Sequence, residues 1–135
     1  MNAGIAAIDV AGSGGTSWTQ VEMHRAKNTK QARLAAAFIN WGIPTAESII
    51  QVRESVPDTP ILASGGLRTG LEIAKCIALG AVIGGMAGPF LEVAVHSIDE
   101  TIQTIEQMKR EIQITMFATG ASRLLELRNK LIDIS

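Results

Sequence analysis

The sequence predicts an α/β fold in which helices bury a parallel sheet, and three observations lead there. Three short apolar runs, at residues 4–10, 61–64 and 81–86, each end in a glycine-rich loop. Helical patterns separate them, and strand-loop-helix units repeated at this rhythm imply right-handed crossovers and parallel strands. Two Trp, three Phe and no Tyr leave the core to Ile, Val, Leu and Ala, the composition of a sheet covered on both faces.

Taken in order, residues 4–10 form a nearly continuous apolar strand with Asp9 near its end, and residues 12–17 can only be a loop. Residues 18–30 are polar and read as an irregular surface excursion. Leu34, Ala35, Phe38 and Trp41 then recur at helical spacing, so a helix is predicted over 31–41, stopped by Gly42, with Phe38 and Trp41 in the core. Pro44-Thr45 opens the next helix, in which Ala46, Ile49, Ile50 and Val56 lie near one face, and Pro57-Asp58-Thr59-Pro60 closes it. Residues 61–64 are the second strand. Thr69 and Glu72 make the S/T-x-x-E pattern of a capping box, so a helix should start near Gly70 and run to Leu79, with Gly80 as its stop. Residues 81–86 are the third strand, and Pro89 suits the first turn of a short helix.

The tail differs in kind. Ser97 and Glu100 offer a second capping box, and Ile98, Ile102, Ile105, Ile112 and Met116 follow near-heptad spacing, so a long amphipathic helix should pack on the sheet or on a neighbouring helix. Gly120 breaks it, and Leu124, Leu127, Leu131 and Ile132 mark a last helix. No linker or low-complexity stretch divides residues 1–135, which read as a single unit.

Two architectures share this pattern. An open doubly wound sheet would be complete at this length, whereas a (β/α)₈ barrel takes roughly 250 residues, so three units and a tail would be under half of one. A first strand that starts almost at Met1 favours the piece of a barrel.

Charge and cysteine usage narrow the function classes. The 12 basic and 13 acidic residues nearly cancel to −1, without a run of five like charges, which argues against nucleic-acid or anionic-membrane binding. No stretch approaches the ~20 apolar residues of a membrane span, Met1-Asn2-Ala3-Gly4 has no basic signal-peptide region, and a cytoplasmic protein is expected. Cys76, the one cysteine, cannot form an internal disulfide, lies in a helical apolar pattern and is expected to be an inert packed thiol; no zinc-ligand spacing occurs. His24 and His96 lack acidic or cysteine partners at catalytic spacing and are expected on the surface, while Asp9 is equally readable as structural or as facing a site.

All three glycine clusters fall at the C-terminal ends of strands, where both α/β architectures place ligands. Gly12-Ser13-Gly14-Gly15-Thr16-Ser17 matches the G-x-G-x-x-G dinucleotide pattern only weakly, because Ser17 replaces the last glycine, and the G-K-S/T of a P-loop is missing. It is readable as a plain tight turn, although the hydroxyls of Thr16 and Ser17 could bond a phosphate. Gly65-Gly66-Leu67-Arg68-Thr69-Gly70 runs from a strand into a capped helix, whose free N–H groups and positive dipole end favour an anion, with Arg68 adding a charge. Gly85-Met86-Ala87-Gly88-Pro89 follows the next strand and also opens a helix. Two consecutive loops of this kind are what the phosphate site of a (β/α)₈ barrel requires, and the competing reading keeps the glycines for turn geometry alone. If the loop at 65–68 seats a phosphate, Gly66→Asp should abolish binding with the fold largely intact, and Gly66→Ala should weaken it less.

The segments Val10-Ala11-Gly12-Ser13-Gly14-Gly15-Thr16-Ser17-Trp18, Val21-Glu22, Arg25, Trp41-Gly42-Ile43-Pro44-Thr45, Ala63-Ser64-Gly65-Gly66-Leu67-Arg68-Thr69-Gly70, Ala74-Lys75 and Ile77-Ala78-Leu79-Gly80-Ala81 occur in this order in a known family. The chain resembles the C-terminal part of type 2 isopentenyl diphosphate isomerases, from the sixth strand of an FMN-dependent (β/α)₈ barrel onward. The G-G-T-S-W and W-G-I-P-T segments separate this family from other FMN barrels. The resemblance implies a partial TIM barrel: the last three βα units plus C-terminal helices. It implies that Thr16 contacts the flavin, that the Gly66, Leu67 and Arg68 backbone cradles its phosphate, and that Ala87 and Gly88 close the other side. Ile83-Gly84 and Gly88 depart from the family's usual residues without removing an N–H donor.

The same resemblance implies interconversion of isopentenyl and dimethylallyl diphosphate, with reduced FMN as acid and base, NADPH keeping it reduced and Mg²⁺ at the diphosphate. The histidine, glutamine and glutamate that hold diphosphate and Mg²⁺, and a lysine near the flavin, belong to the first half of the barrel and have no counterpart here. The chain alone is therefore expected to be inactive, to require that missing N-terminal half as partner, and to associate with itself as a homo-oligomer. The alternatives are a fragment of another FMN-dependent barrel oxidoreductase, which should carry a catalytic His or Cys loop, and a non-catalytic self-associating half-barrel.

Overall fold

A computed structural model describes residues 4–131. Three short strands, β1 (Ile8–Asp9), β2 (Ile61–Ala63) and β3 (Ile83–Gly84), pair in parallel in the order β1-β2-β3, with Ile8 opposite Ile61 and Asp9 opposite Leu62, then Leu62 opposite Ile83 and Ala63 opposite Gly84. All three predicted strands exist, but each is shorter than its apolar run. The alternation of side chains along a strand sorts them into two faces. Ile61 and Ala63 are fully buried in a cluster with Ile49, Leu67, Cys76 and Ala81. The opposite face carries Asp9, Leu62 and Ile83 in one row, and there Asp9 and Ile83 are exposed.

Helices supply the rest: α1 (Trp18–Arg25), α2 (Thr29–Ala36), α3 (Thr45–Ser55), α4 (Gly70–Leu79), α5 (Gly88–Ala94) and α6 (Ile98–Thr119), followed by a 3₁₀ helix over Leu124–Asn129. Helix α4 begins with the predicted capping box, the Thr69 hydroxyl accepting from the Glu72 N–H and the Glu72 carboxylate accepting from the Thr69 N–H. It ends at Gly80, whose φ of 120° is the left-handed conformation that glycine adopts without a Cβ clash. Beneath it, Ala74 and Ile77 pack with Ala121 and Leu127. The Arg53 guanidinium donates to the carbonyls of Pro57 and Gly80, and Arg128 also reaches the Gly80 carbonyl, at 3.3 Å. Two cations thus sit at the negative end of the α4 dipole.

Five expectations are corrected. Residues 18–30 are not irregular: Ser17 accepts a bond from the Gln20 N–H and Asn28 from the Gln31 N–H, and these two caps start α1 and α2 in polar sequence. Helix α2 ends at Ala36, and Phe38 and Trp41 form an exposed edge-to-face pair with centroids 6.0 Å apart rather than core. On α3 the buried line runs through Thr45 and Ile49, so Ala46 and Ile50 face outward. On α6, which packs on a neighbouring helix as expected, Met116 of the predicted stripe meets the Ala74 and Ile77 cluster, but Ile98, Ile102 and Ile105 are exposed and Met108 is the buried residue. Gly70 explains that choice, since any Cβ there would strike the Met108 carbonyl, so α4 and α6 cross along the Met108–Glu111 face. The last predicted helix is the 3₁₀ turn, and Ile132 lies outside the described residues.

Candidate functional site

The C-terminal ends of the strands converge on one open pocket of about 580 Å³, within the size range of small-molecule sites. Its lining comes from all three glycine loops: Gly15 and Thr16 after β1, residues 64–68 after β2, and residues 85–89 after β3. Thr16, Gly66, Leu67, Arg68, Ala87 and Gly88, the six residues singled out from the sequence, therefore meet around a single cavity. Arg68 is exposed, whereas Leu67, which also borders the cavity, is buried in the core cluster.

Backbone contacts lock the loops together. Gly12 N–H donates to the Ser64 carbonyl at 2.9 Å, Ser13 N–H to the Ile43 carbonyl at 2.8 Å, and Ser13 bridges Pro44 in parallel. Gly65 and Gly66 have φ of 107° and 81°, and a Cβ on either would collide with the carbonyl of Gly12 or of Gly14. The expectation that Gly66→Asp would leave the fold largely intact is therefore corrected: Gly66 is needed for loop-on-loop packing, so even a methyl group there disturbs the fold. Gly15 lies so close to the next loop that a Cβ there would sit 2.8 Å from the Gly66 nitrogen. Gly88, by contrast, has nothing within 4 Å of its Cβ direction.

The donors available to an anion are not the ones the capped helix suggested. At the start of α4, the N–H groups of Arg68 and Thr69 donate to the Glu72 carboxylate at 2.7 and 3.1 Å, and the Gly70 N–H donates to Glu111 of α6 at 2.6 Å. The Arg68 N–H, ahead of the other contacts, holds the Glu72 carboxyl below its ordinary value, so it stays anionic. That helix end is already neutralised by carboxylates. Among the described residues, no protein acceptor takes the N–H of Gly66, Leu67, Met86 or Ala87. These four backbone donors, with Arg68, make the cavity able to hold a phosphate-sized anion.

Other candidates lie elsewhere. His24 and His96 are exposed and outside the cavity lining, and Cys76 is buried, its thiol pushed up by desolvation first and the Glu72 charge second. Asp9 accepts from the Ala11 N–H at 3.0 Å and the Ser64 hydroxyl at 2.5 Å, which supports Ala11 at its positive φ of 40°. Sequence reading missed Thr45 and Glu111, whose partners lie 20 and 41 residues away and leave no local pattern. Among the described residues no three His, Cys, Asp or Glu side chains gather as a metal cluster, and no helix is long and apolar enough to cross a membrane.

A parallel α/β sheet with glycine loops gathered around one cavity at its strand ends defines a class, the α/β proteins whose ligand sites lie beyond the C-terminal ends of the strands. Within that class, a family model described as FMN-dependent dehydrogenase matches residues 1–134, and the chain belongs to that family. Among curated proteins it is 51% identical over 94% of its length to the isopentenyl-diphosphate delta-isomerase of Nostoc sp.. It is 46% identical over its full length to the protein of that name from Stutzerimonas stutzeri, and 46% over 95% to that from Oceanobacillus iheyensis. The chain spans only 36% to 39% of the length of these relatives.

Proposed function

We propose that residues 1–135 form the C-terminal portion of an FMN-dependent (β/α)₈ barrel and seat the FMN phosphate for an isopentenyl diphosphate isomerase. The observation that carries this reading is the convergence of the Gly66, Leu67, Met86 and Ala87 N–H groups with Arg68 and Thr16 on one cavity. The barrel reading is supported by the order β1-β2-β3, in which sequence neighbours are sheet neighbours, and by the row of Asp9, half-buried Leu62 and Ile83, exposed at both ends, which a closed barrel would turn inward. The share of each relative that the chain covers supports a partner contribution from the N-terminal part of the barrel.

In this assignment the two loops hold the phosphate, Arg68 offsets its charge at the rim, and Thr16 and Gly15 border the flavin side. Bound FMN would supply, in its reduced form, the acid and base for moving the double bond between isopentenyl and dimethylallyl diphosphate. NADPH to keep it reduced, and Mg²⁺ at the diphosphate, enter through the family resemblance, with ligands from the N-terminal part. A catalytic His or Cys lining the cavity would favour a different FMN-dependent oxidoreductase, and among the described residues neither type lines it.

The test is Gly88→Asp. The Cβ enters open space, and an acidic residue suits the first turn of α5, so the fold survives while a negative charge is added beside the phosphate. The variant should lose FMN affinity by tenfold or more on the order of one lost charge-assisted bond, with riboflavin affinity unchanged. Equal FMN binding by variant and wild type would overturn the assignment.

A further inference from the structure

The geometry points to Thr45 as the positioning residue that fixes which way the Gly65–Gly66 peptide faces, and so whether the cavity offers a donor or an acceptor to a flavin phosphate; this rests on the phosphate reading above. Thr45 is the buried polar side chain among the described residues, 9% exposed, at the first position of α3. Its hydroxyl donates to the Gly65 carbonyl at 2.6 Å, with the Ser64 carbonyl at 3.4 Å. No side chain caps α3, so the hydroxyl is spent across the loops rather than on its own helix.

A trans peptide points its C=O and N–H in opposite directions. With the Gly65 carbonyl drawn onto Thr45, the Gly66 N–H must face the other way, toward Gly15 and the cavity, and no protein acceptor takes it. Both residues flanking this peptide are glycines at positive φ, so neither has a Cβ of its own to hold the peptide in one of its two orientations. Reversal would present the Gly65 carbonyl to the anion and repel it. The Thr45 hydroxyl selects against that state by giving the carbonyl its partner. The selector stands in the W-G-I-P-T segment, outside the glycine loops it governs.

The experiment follows the amide signals of the labelled chain by NMR, which reads weak binding, in complex with the N-terminal part of the Nostoc relative, during titration with FMN, riboflavin and inorganic phosphate. In the wild type, FMN and phosphate should shift the Gly66 and Ala87 amides and riboflavin should not. Thr45→Val should lower FMN affinity about tenfold, the loss expected for one hydrogen bond that sets a donor's direction, with riboflavin unaffected. Thr45→Ser should restore FMN affinity to within about twofold, since its hydroxyl keeps the donor. If the valine chain does not fold, Thr45→Cys, similar in size with a weak donor, should show the same selective loss. FMN affinity unchanged in a folded valine or cysteine variant overturns the role of Thr45 and leaves the phosphate reading standing. A wild-type chain that does not distinguish FMN from riboflavin overturns the phosphate reading, and this assignment with it.

Discussion

At the scale of single residues, the glycines of the cradle divide by what stands beside them. Gly66→Ala would force a methyl onto the Gly14 carbonyl at a positive φ, so it should cost roughly 1–3 kcal/mol of stability. Urea denaturation of this variant beside Gly88→Asp checks the contrast, since the second should unfold near the wild-type midpoint. Carboxylates give a second prediction. Glu126 accepts from the Ser122 N–H, from Arg123 and from the Ser122 hydroxyl, and is held down to about 2. A depressed acid stabilises the fold above its unfolded value and loses that contribution as pH falls through its folded one. The turn before the 3₁₀ helix should therefore loosen between about pH 4.5 and 2, with Glu72 adding to the loss, as pH-dependent NMR of both carboxyl carbons would show. Thr69 and Glu72 were legible in the sequence because their partners are local. Thr45 was not, because a hydroxyl at a helix start gives no sign that it will bond 20 residues away.

At the scale of elements, α4 was the most legible helix, and its two ends show why. Both signals, the capping box and Gly80, lie inside or next to the helix. What ties α4 to its neighbours lies outside that window: Glu111 of α6 on its first turn, Arg53 of α3 and Arg128 of the tail on its last. Glu111→Ala should leave the buried Gly70 N–H without an acceptor and lower stability by about 1–3 kcal/mol, measurable by chemical denaturation. The exposed first half of the α6 stripe, Ile98, Ile102 and Ile105, shows the converse failure. Heptad spacing identified an amphipathic helix correctly, but the face that docks was chosen by the gap at Gly70, which periodicity does not register. Helix α1 was unreadable from hydrophobic pattern because it buries no residue, and its cap alone announces it, whereas α2 was reached by apolar spacing but with its start and end displaced, since it too buries no residue to fix the register.

At the scale of the whole molecule, the sheet order and the part-exposed row of Asp9, Leu62 and Ile83 make one demand. That face and the two outer strand edges need a cover. Purified alone, the chain should show no turnover of isopentenyl diphosphate with FMN, Mg²⁺ and NADPH, and light scattering at micromolar concentration should show self-association. Co-expression with the N-terminal part of the Nostoc relative should suppress that association and restore isomerisation. A stable monomer would count for a self-sufficient open sheet instead. The α/β class was legible from three apolar runs, but barrel and open sheet share those runs and differ in strand order, which no local pattern carries.

Strand order also sets a sequence in time. Pairing β2 with β3 closes the chain between Leu62 and Ile83, while pairing β1 with β2 must close the longer span from Ile8 to Ile61 across α1, α2 and α3. Closure entropy rises with the length spanned, by about 0.6 kcal/mol per doubling, so the nearer pair should form first and serve as template for the farther one. The bonds that report each event are separate: Val82 and Gly85 donate to the Ile61 and Ala63 carbonyls, Ile8 and Val10 to those of Pro60 and Leu62. In pulse-labelled refolding, the Val82 and Gly85 amides should resist exchange before those of Ile8 and Val10. The cradle would then be assembled from its second wall backward, the glycine turn after β1 settling last onto a surface already in place.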